Sequence, residues 1–180
     1  MSKQFEKLLA FHCSPALFGI KPSNLMNVSL KDFPNIDSLI EELNNSFSKV
    51  SFELMKITKT SALILVYKKT KLSNAIFKKD NYDYLLSNGY PENKELNSYL
   101  NLLKERLKTS DFPHEIGVFL GYDLDDIKEY KSGNKNCLLV GYWKVFSKKE
   151  EKEKIFDQYT RCKNIVSSLL NKGYNLNAIA

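Results

Sequence analysis

Two short segments hold both histidines of the chain and one of its three cysteines. His12 and Cys13 are adjacent in the segment 11–25, FHCSPALFGIKPSNL, and His114 and Glu115 are adjacent further along, in FPHEIGVFLGY. A cysteine reacts as its thiolate, and a nearby imidazole can act as its base. The residue types therefore permit thiol chemistry at Cys13, with either histidine as the base and Glu115 orienting it.

Cys13 also fits a purely structural role, because cysteine is among the residues most often buried as small apolar side chains. If Cys13 lay on a strand, His12 would point to the opposite face, and His114 would be the better placed base. We expect the two segments to meet in the fold. Their meeting would form one shared site of His12, Cys13, His114 and Glu115.

These four residues give little reason to expect a metal site. Metal motifs usually place ligands at short separations such as i and i+3 or i+4, whereas the two histidines are far apart in the sequence. We therefore predict no metal ligands, and the sequence leaves the identity of any cofactor open.

Five further residues are candidates for binding a ligand. Lys21 offers a charge for an anion, and Ser23 or Asn24 can cap free backbone amides in a turn or at a helix start. Tyr122 lies where a strand, a turn and a helix are expected in succession, an order that often borders a pocket. Lys144 follows the only tryptophan and can reach either a cleft or the solvent.

The composition is that of an ordinary folded protein with a basic surface. The 180 residues are 43% hydrophobic and 27% charged, and lysine with arginine outnumbers aspartate with glutamate by 27 to 21. This length is typical of one domain, so we predict a single domain over residues 1–180. The basic residues do not form a stripe interleaved with aromatic residues, so weak nucleic-acid binding is the least favoured function.

The spacing of the cysteines and the length of the apolar runs indicate the cellular compartment of the protein. Cys13, Cys137 and Cys162 are widely spaced, form no CxxC pair and follow no secretory leader, which predicts a reduced, cytoplasmic protein. The longest apolar runs are far shorter than the roughly 20 residues that a membrane-spanning helix needs, so we expect no membrane association.

Hydrophobic periodicity predicts the elements that position these residues. Amphipathic stripes indicate helices over 36–47 and 96–107, and the longest helix is expected from a capping box at Ser147 to Gly173. Residues 52–67 have the pattern of an antiparallel hairpin, and the apolar second strand of that hairpin is typical of a strand covered on both faces.

Two more strands are expected around the candidate residues. The apolar run 116–120 and the segment 137–146, CLLVGYWKVF, both predict strands, and Asp123 is expected to cap a short helix between them. These elements together predict an α+β fold. It would contain a mixed sheet of four or five strands with an antiparallel hairpin, packed by amphipathic helices that include a long C-terminal helix.

Three blocks of the sequence occur in the order of a known family over nearly the full chain: HCSPALFGIKPSNL, FPHEIGVFLGYDLDDIKEY, and GYWKVF with a following helix that carries FDQYTRCK. The chain resembles the DUF3793 family, uncharacterised proteins found mainly in anaerobic Firmicutes. The family pattern includes His12-Cys13-Ser14-Pro15, Lys21, Pro113 to Gly117, Leu120-Gly121-Tyr122, Trp143-Lys144-Val145 and Cys162. Many relatives have proline in place of Asp123, which affects only a helix start. The resemblance implies no established activity.

Two functions follow from these observations. The first is a cytoplasmic accessory protein that binds a small molecule or a protein partner, with HCSP, PHEIG and GYWK lining one pocket or surface. The second is a thiol-dependent enzyme or redox protein that uses Cys13 with a histidine base. We favour the first, because the sequence shows reactive groups but no complete catalytic set.

Overall fold

The computed structural model describes residues 1–109 and 112–180. The helices of this part of the chain are α1 (Lys3–Leu17), α2 (Ile36–Ser46), α3 (Lys69–Ile76), α4 (Lys79–Ser87), α5 (Leu96–Leu107), α6 (Ile116–Phe119), α7 (Leu124–Lys131), α8 (Lys149–Asn171) and α9 (Leu176–Ile179). The strands are β1 (Ser23–Ser29), β2 (Ser51–Ile57), β3 (Ser61–Tyr67), β4 (Leu139–Val140) and β5 (Lys144–Val145). None of the helices described has the length and hydropathy to cross a membrane.

The predicted hairpin is confirmed, but the sheet is smaller than predicted. Strands β2 and β3 pair antiparallel, and β3 lies between β1 and β2 in a three-stranded sheet whose pairings are all antiparallel. The pairing of β2 with β3 shifts register between Leu54 and Lys56, where β2 bulges. The prediction of a mixed sheet of four or five strands is wrong, because 116–120 is helical and 137–146 folds into a separate two-stranded sheet, β4–β5.

Strand β3 is covered on both faces, as its continuous apolar sequence predicts. Ile64 and Val66 point into a core shared with α1, α2 and α8, whereas Leu65 and Tyr67 point into a second core shared with α3 to α7. All four side chains are buried. The sheet therefore forms the middle layer between two layers of helices.

The opening segment begins as a helix, so Cys13 does not lie on the strand that was considered for it above. Phe5, Leu9, Cys13 and Leu17 recur every four residues and are all buried, which is the inward stripe of α1. Pro15 lies inside the last turn, and its carbonyl oxygen accepts the backbone N–H of residues 20 and 21 as the helix ends. The proline therefore lies at the end of α1 and helps to terminate the helix.

The apolar run 116–120 is one helical turn, α6, rather than the predicted strand. Ile116, Gly117, Val118 and Phe119 are all buried, so the run carries no polar positions that could reveal its periodicity. A short continuous apolar run is compatible with a buried strand or a buried helix. Gly121 follows in the left-handed region, with φ at +71°.

Both helices that were predicted for the chain after residue 120 are present. The side chain of Asp123 accepts the backbone N–H of Asp125 at 3.1 Å and caps α7, as expected. Helix α8 is the longest described and ends just before Gly173, whose φ is +90°. Its predicted capping box is wrong, because the N-cap residue is Lys148 and the buried hydroxyl of Ser147 makes no hydrogen bond within the described residues.

Candidate functional site

Cys13 lies in the core shared by α1, α2 and α8, not at a surface. Its side chain is fully buried, and its thiol lies 3.6 Å from the sulfur of Met26 on β1. Burial raises the pKa of the thiol to about 12, although Lys21 and Lys163 nearby act in the opposite direction. Such a thiol is almost entirely protonated at neutral pH, and the protonated form is a poor nucleophile.

The two histidines lie in different surroundings. His12 is partly exposed on α1, and its pKa is lowered by partial burial and by the charge of Lys163. His114 precedes α6 and packs edge-on against Tyr130 of α7, with the ring centroids 5.4 Å apart. No hydrogen bond in the described part of the chain joins either imidazole to the thiol of Cys13.

Glu115 forms an ion pair instead of orienting a histidine. Its buried carboxylate lies 2.5 Å from Nη1 of Arg106, and the guanidinium lies over the ring of Tyr90, with 4.8 Å to the centroid. This contact fastens the segment before α6 to α5. Among the described residues, no three histidine, cysteine, aspartate or glutamate side chains come together as a metal site would require. The structure therefore does not gather the four residues of the expected shared site into one cluster.

The two segments do meet, but through other residues than expected. The hydroxyl of Ser23 donates a hydrogen bond of 2.7 Å to the carbonyl oxygen of Phe119, and both groups are buried. Pro22 packs directly on Gly121, where an added Cβ would lie 2.6 Å from the proline Cδ. The turn after α1 is thus fitted closely against the end of α6.

The remaining ligand candidates of the opening segment differ in their surroundings. The side-chain oxygen of Asn24 accepts the backbone N–H of Ala16 at 3.2 Å, so it serves the end of α1. Lys21 is 4% exposed, and its ammonium lies 5.4 Å from the ring centroid of Tyr122 and 5.9 Å from that of Tyr159. Asn24 therefore has a structural role at the end of α1. The ammonium group of Lys21, in contrast, lies among aromatic rings.

A cavity of about 380 Å³ lies beside the segment that precedes α6. Small-molecule sites in proteins usually measure about 300 to 1,000 Å³ and are mostly apolar. The lining comes from this segment, from α7 and from the β4–β5 hairpin, and it includes Phe112, His114, Tyr122, Tyr130, Trp143 and Lys144. The predicted PHEIG and GYWK segments therefore border one cavity, to which HCSP does not contribute.

Stacked aromatic rings form one wall of the cavity. Tyr122 and Trp143 lie nearly parallel, with their centroids 4.8 Å apart and an interplanar angle of 23°. Trp143 also packs edge-on against Phe156 of α8, with the centroids 4.6 Å apart. Contacts on two sides hold the indole in place, so this wall is formed before any ligand arrives.

Asp126 of α7 anchors the same wall through hydrogen bonds. It is 1% exposed, and one of its carboxylate oxygens accepts the indole N–H of Trp143 at 2.8 Å. The other oxygen accepts the backbone N–H of Phe146 at 2.8 Å and that of Ser147 at 3.2 Å. Because these donors occupy the carboxylate, it is a positioning group for the hairpin and the tryptophan rather than a free acid.

The rim of the cavity is exposed and carries a positive charge. The ammonium of Lys144 lies over the ring of Tyr130, 5.4 Å from its centroid, and the same ring packs against His114. Phe112 and Tyr130 are 55% and 48% exposed, so apolar surface continues outward from the cavity. A ligand entering here would meet aromatic faces, an imidazole and an ammonium group.

Sequence reasoning identified His114, Tyr122 and Lys144 but missed the role of their neighbours. Neither Tyr130 nor Asp126 of α7 was among the residues that the sequence singled out. Their spacing of four places both on one face of that helix, which is the signal that could have linked them.

Comparison with known proteins places the chain in a family without assigning it an activity. The model of the family described as "Protein of unknown function (DUF3793)" matches residues 9–180, a range that contains every lining residue named above. No curated protein and no solved structure matches the chain. Because the match covers nearly the whole sequence, the chain belongs to the DUF3793 family.

Proposed function

We propose that the protein binds a small, flat organic anion in the aromatic cavity beside α7. The observation that carries this proposal is the preformed wall of stacked Tyr122 and Trp143, facing a rim with His114 and Lys144. The protein would act as a ligand-binding accessory protein, without chemistry of its own at this site.

The walls favour a planar, mostly apolar ligand. Aromatic rings attract other rings through offset-stacked or edge-to-face contacts, worth roughly 0.5–1.5 kcal/mol beyond the burial of their area. Tyr122, Tyr130 and Trp143 offer such surfaces around a volume of about 380 Å³. A ligand of one or two fused rings fits the size and the chemistry of this lining.

The rim favours a negative charge on that ligand. Lys144 is exposed and forms no ion pair with a carboxylate of the described residues, so its charge is available. His114 adds ring nitrogens that can hydrogen-bond to an oxyanion. Asp126, the only carboxylate among the described lining residues, already accepts three hydrogen bonds.

Thiol chemistry at Cys13 is not part of this proposal. Full burial, a contact with the sulfur of Met26 and a raised pKa all disfavour the thiolate that such chemistry needs. The three cysteines are unpaired, which supports the proposal that the protein works in a reducing compartment such as the cytoplasm.

The first experiment titrates the protein with 1-naphthoate and with its neutral analogue 1-naphthamide. Trp143 is the only tryptophan, so ligand stacking in the cavity should quench its fluorescence directly. We expect 1-naphthoate to bind about fivefold more tightly, the equivalent of about 1 kcal/mol for one exposed charge. Lys144→Gln should remove this preference while leaving the binding of the amide unchanged.

Lys135→Gln is the matched control, because Lys135 is an exposed lysine outside the cavity lining. This variant should keep the preference for the carboxylate. The proposal is wrong if neither compound changes the fluorescence of Trp143 at millimolar concentration, or if both lysine variants lose the preference equally.

A further inference from the structure

A second group of charged side chains lies where α1 packs against α8. It consists of His12 on α1, Lys21 in the turn that follows, and Lys163 on α8. The charge of Lys163 lowers the pKa of both His12 and Lys21, which places each of them within electrostatic reach of Lys163. None of the three forms an ion pair with a carboxylate of the described residues.

Lys21 is the unusual member of this group. An ammonium group that is taken out of water normally gains a carboxylate or hydrogen-bond acceptors in compensation. Lys21 is 4% exposed, yet its recorded contacts are the faces of Tyr122 and Tyr159, and its side chain makes no hydrogen bond in the described part of the chain. Among the described residues, the faces of these two rings therefore supply the contacts of the ammonium group.

Lys163 is the third member of this group, and its side chain is partly exposed. Its ammonium lies 4.7 Å from the ring centroid of Tyr142 and 5.5 Å from that of Phe11. The rings of Tyr142 and Tyr159 pack edge to face, 5.1 Å between centroids, so the two lysine ammonium groups lie over adjacent rings. Two cations are thus held near each other by aromatic contacts, and neither pairs with a carboxylate of the described residues.

We propose that Lys21 and Lys163 together bind a phosphate group, which supplies the negative charge that this part of the described protein lacks. A phosphate dianion matches two ammonium groups in charge, and lysine binds phosphate as a point charge without a fixed geometry. The neighbouring hydroxyls of Tyr122 and Tyr159 stay neutral, because burial raises the pKa of both. They therefore add no opposing charge.

This site is distinct from the proposed naphthoate-type site, which depends on Lys144 and His114. The two share Tyr122 and Tyr142 as ring surfaces but no charged residue. A failure of one proposal therefore leaves the other testable.

Phosphate binding should depend on pH in a defined direction. Burial, and then the charge of Lys163, lowers the pKa of Lys21 to about 8, whereas Cys13 acts in the opposite direction. A bound dianion favours the protonated amine and raises that pKa. The complex should therefore take up a proton near pH 8, and affinity should fall as the pH rises above 8. The titratable groups close to this amine are Cys13, Lys163, Tyr122 and Tyr159.

Isothermal titration calorimetry tests the site with inorganic phosphate and with phenyl phosphate. We expect both to bind at pH 7 and low ionic strength, with proton uptake near pH 8 seen by comparing two buffers of different ionisation enthalpy. Lys21→Met and Lys163→Met should each weaken binding at least tenfold. Lys154→Met, a change of an exposed lysine on the same helix α8, should leave it unchanged.

The two probes distinguish the source of the phosphate. Tighter binding of phenyl phosphate assigns the site to an organic phosphomonoester, and equal or tighter binding of inorganic phosphate assigns it to the free ion. If Lys21→Met does not fold, as judged by circular dichroism, the partly exposed Lys163→Met decides. The proposal is overturned if neither probe binds, or if Lys163→Met binds as tightly as the natural sequence does.

Discussion

Burial decides what Cys13 can do. Its pKa of about 12 predicts that iodoacetamide at pH 8 leaves Cys13 unmodified in the folded protein, whereas the partly exposed Cys137 is alkylated. Peptide mass spectrometry after timed alkylation measures this, and in 8 M urea all three cysteines should react. A Cys137→Ser variant, in which only the two buried thiols remain, serves as the control. Rapid alkylation of Cys13 in that folded variant would restore the hypothesis of a thiol-dependent enzyme.

Asp126 shows how one buried carboxylate can order a site without taking part in chemistry. In Asp126→Asn, one oxygen becomes an NH₂ group that must face a donor N–H, either of Trp143 or of the backbone at Phe146. We expect a loss of about 2 kcal/mol in the free energy of unfolding, since hydrogen bonds to charged groups are worth roughly 1.5–3 kcal/mol. Urea unfolding followed by the fluorescence of Trp143 measures the loss.

The matched control lies one residue earlier on the same helix. Asp125→Asn changes an exposed carboxylate and should alter the free energy of unfolding by less than about 0.5 kcal/mol. Equal stability of the two variants would show that the buried carboxylate does not anchor the hairpin.

Between elements, a single glycine fits the turn after α1 against the end of α6. In Gly121→Ala, the new Cβ would strain a φ of +71° and would also lie 2.6 Å from Pro22. Gly133→Ala strains a similar φ of +81° but meets nothing within 4 Å. We expect a loss of about 1 kcal/mol for Gly133→Ala from the backbone alone, and roughly 1–3 kcal/mol more for Gly121→Ala from the steric clash.

Urea unfolding of both alanine variants separates these two costs, because they share the backbone strain and differ only in the contact. Similar losses in the two variants would mean that the turn shifts freely away from α6. The contact between the two segments would then be loose, and the turn that carries Lys21 would not be fixed in place by its neighbour.

Elements with a clear period could be predicted from the sequence, and short or uniformly apolar ones could not. The stripes of α2, α5 and α8 are long enough to show a helical repeat, and β3 is a continuous apolar run inside a hairpin. The run 116–120 is buried on every side, so it has no polar positions from which to tell helix from strand. In α1, Pro15 is a residue type that disfavours a helix, and it obscures the buried stripe that begins at Phe5.

The candidate site was predictable in part for similar reasons. His114, Tyr122 and Lys144 stand out as polar or glycine-flanked residues beside apolar runs, which sequence inspection detects. Their convergence on one cavity depends on how α7 and the β4–β5 hairpin pack together. That packing depends on the hydrogen bond that the indole N–H of Trp143 donates to Asp126. The two residues are too far apart in the sequence for a local pattern to predict this hydrogen bond.

For the whole molecule, the two-faced sheet separates two kinds of environment. The core with α1, α2 and α8 encloses Cys13, while the other face supports the helices that lead to the aromatic cavity. A third group of buried aromatic and aliphatic side chains, including Trp143 and Phe156, joins the β4–β5 hairpin to α8. Helix α8 therefore connects the core around Cys13 to the wall of the proposed ligand site.

The order of strands in the main sheet has a further consequence. Because β3 lies in the middle, both β1 and β2 are edge strands, and an unpaired edge can recruit the same edge of another chain into an aggregate. The bulge between Leu54 and Lys56 interrupts the ladder on β2, and Glu53 and Lys56 put charges on that strand. The register shift and the two charged side chains therefore discourage edge-to-edge pairing along β2.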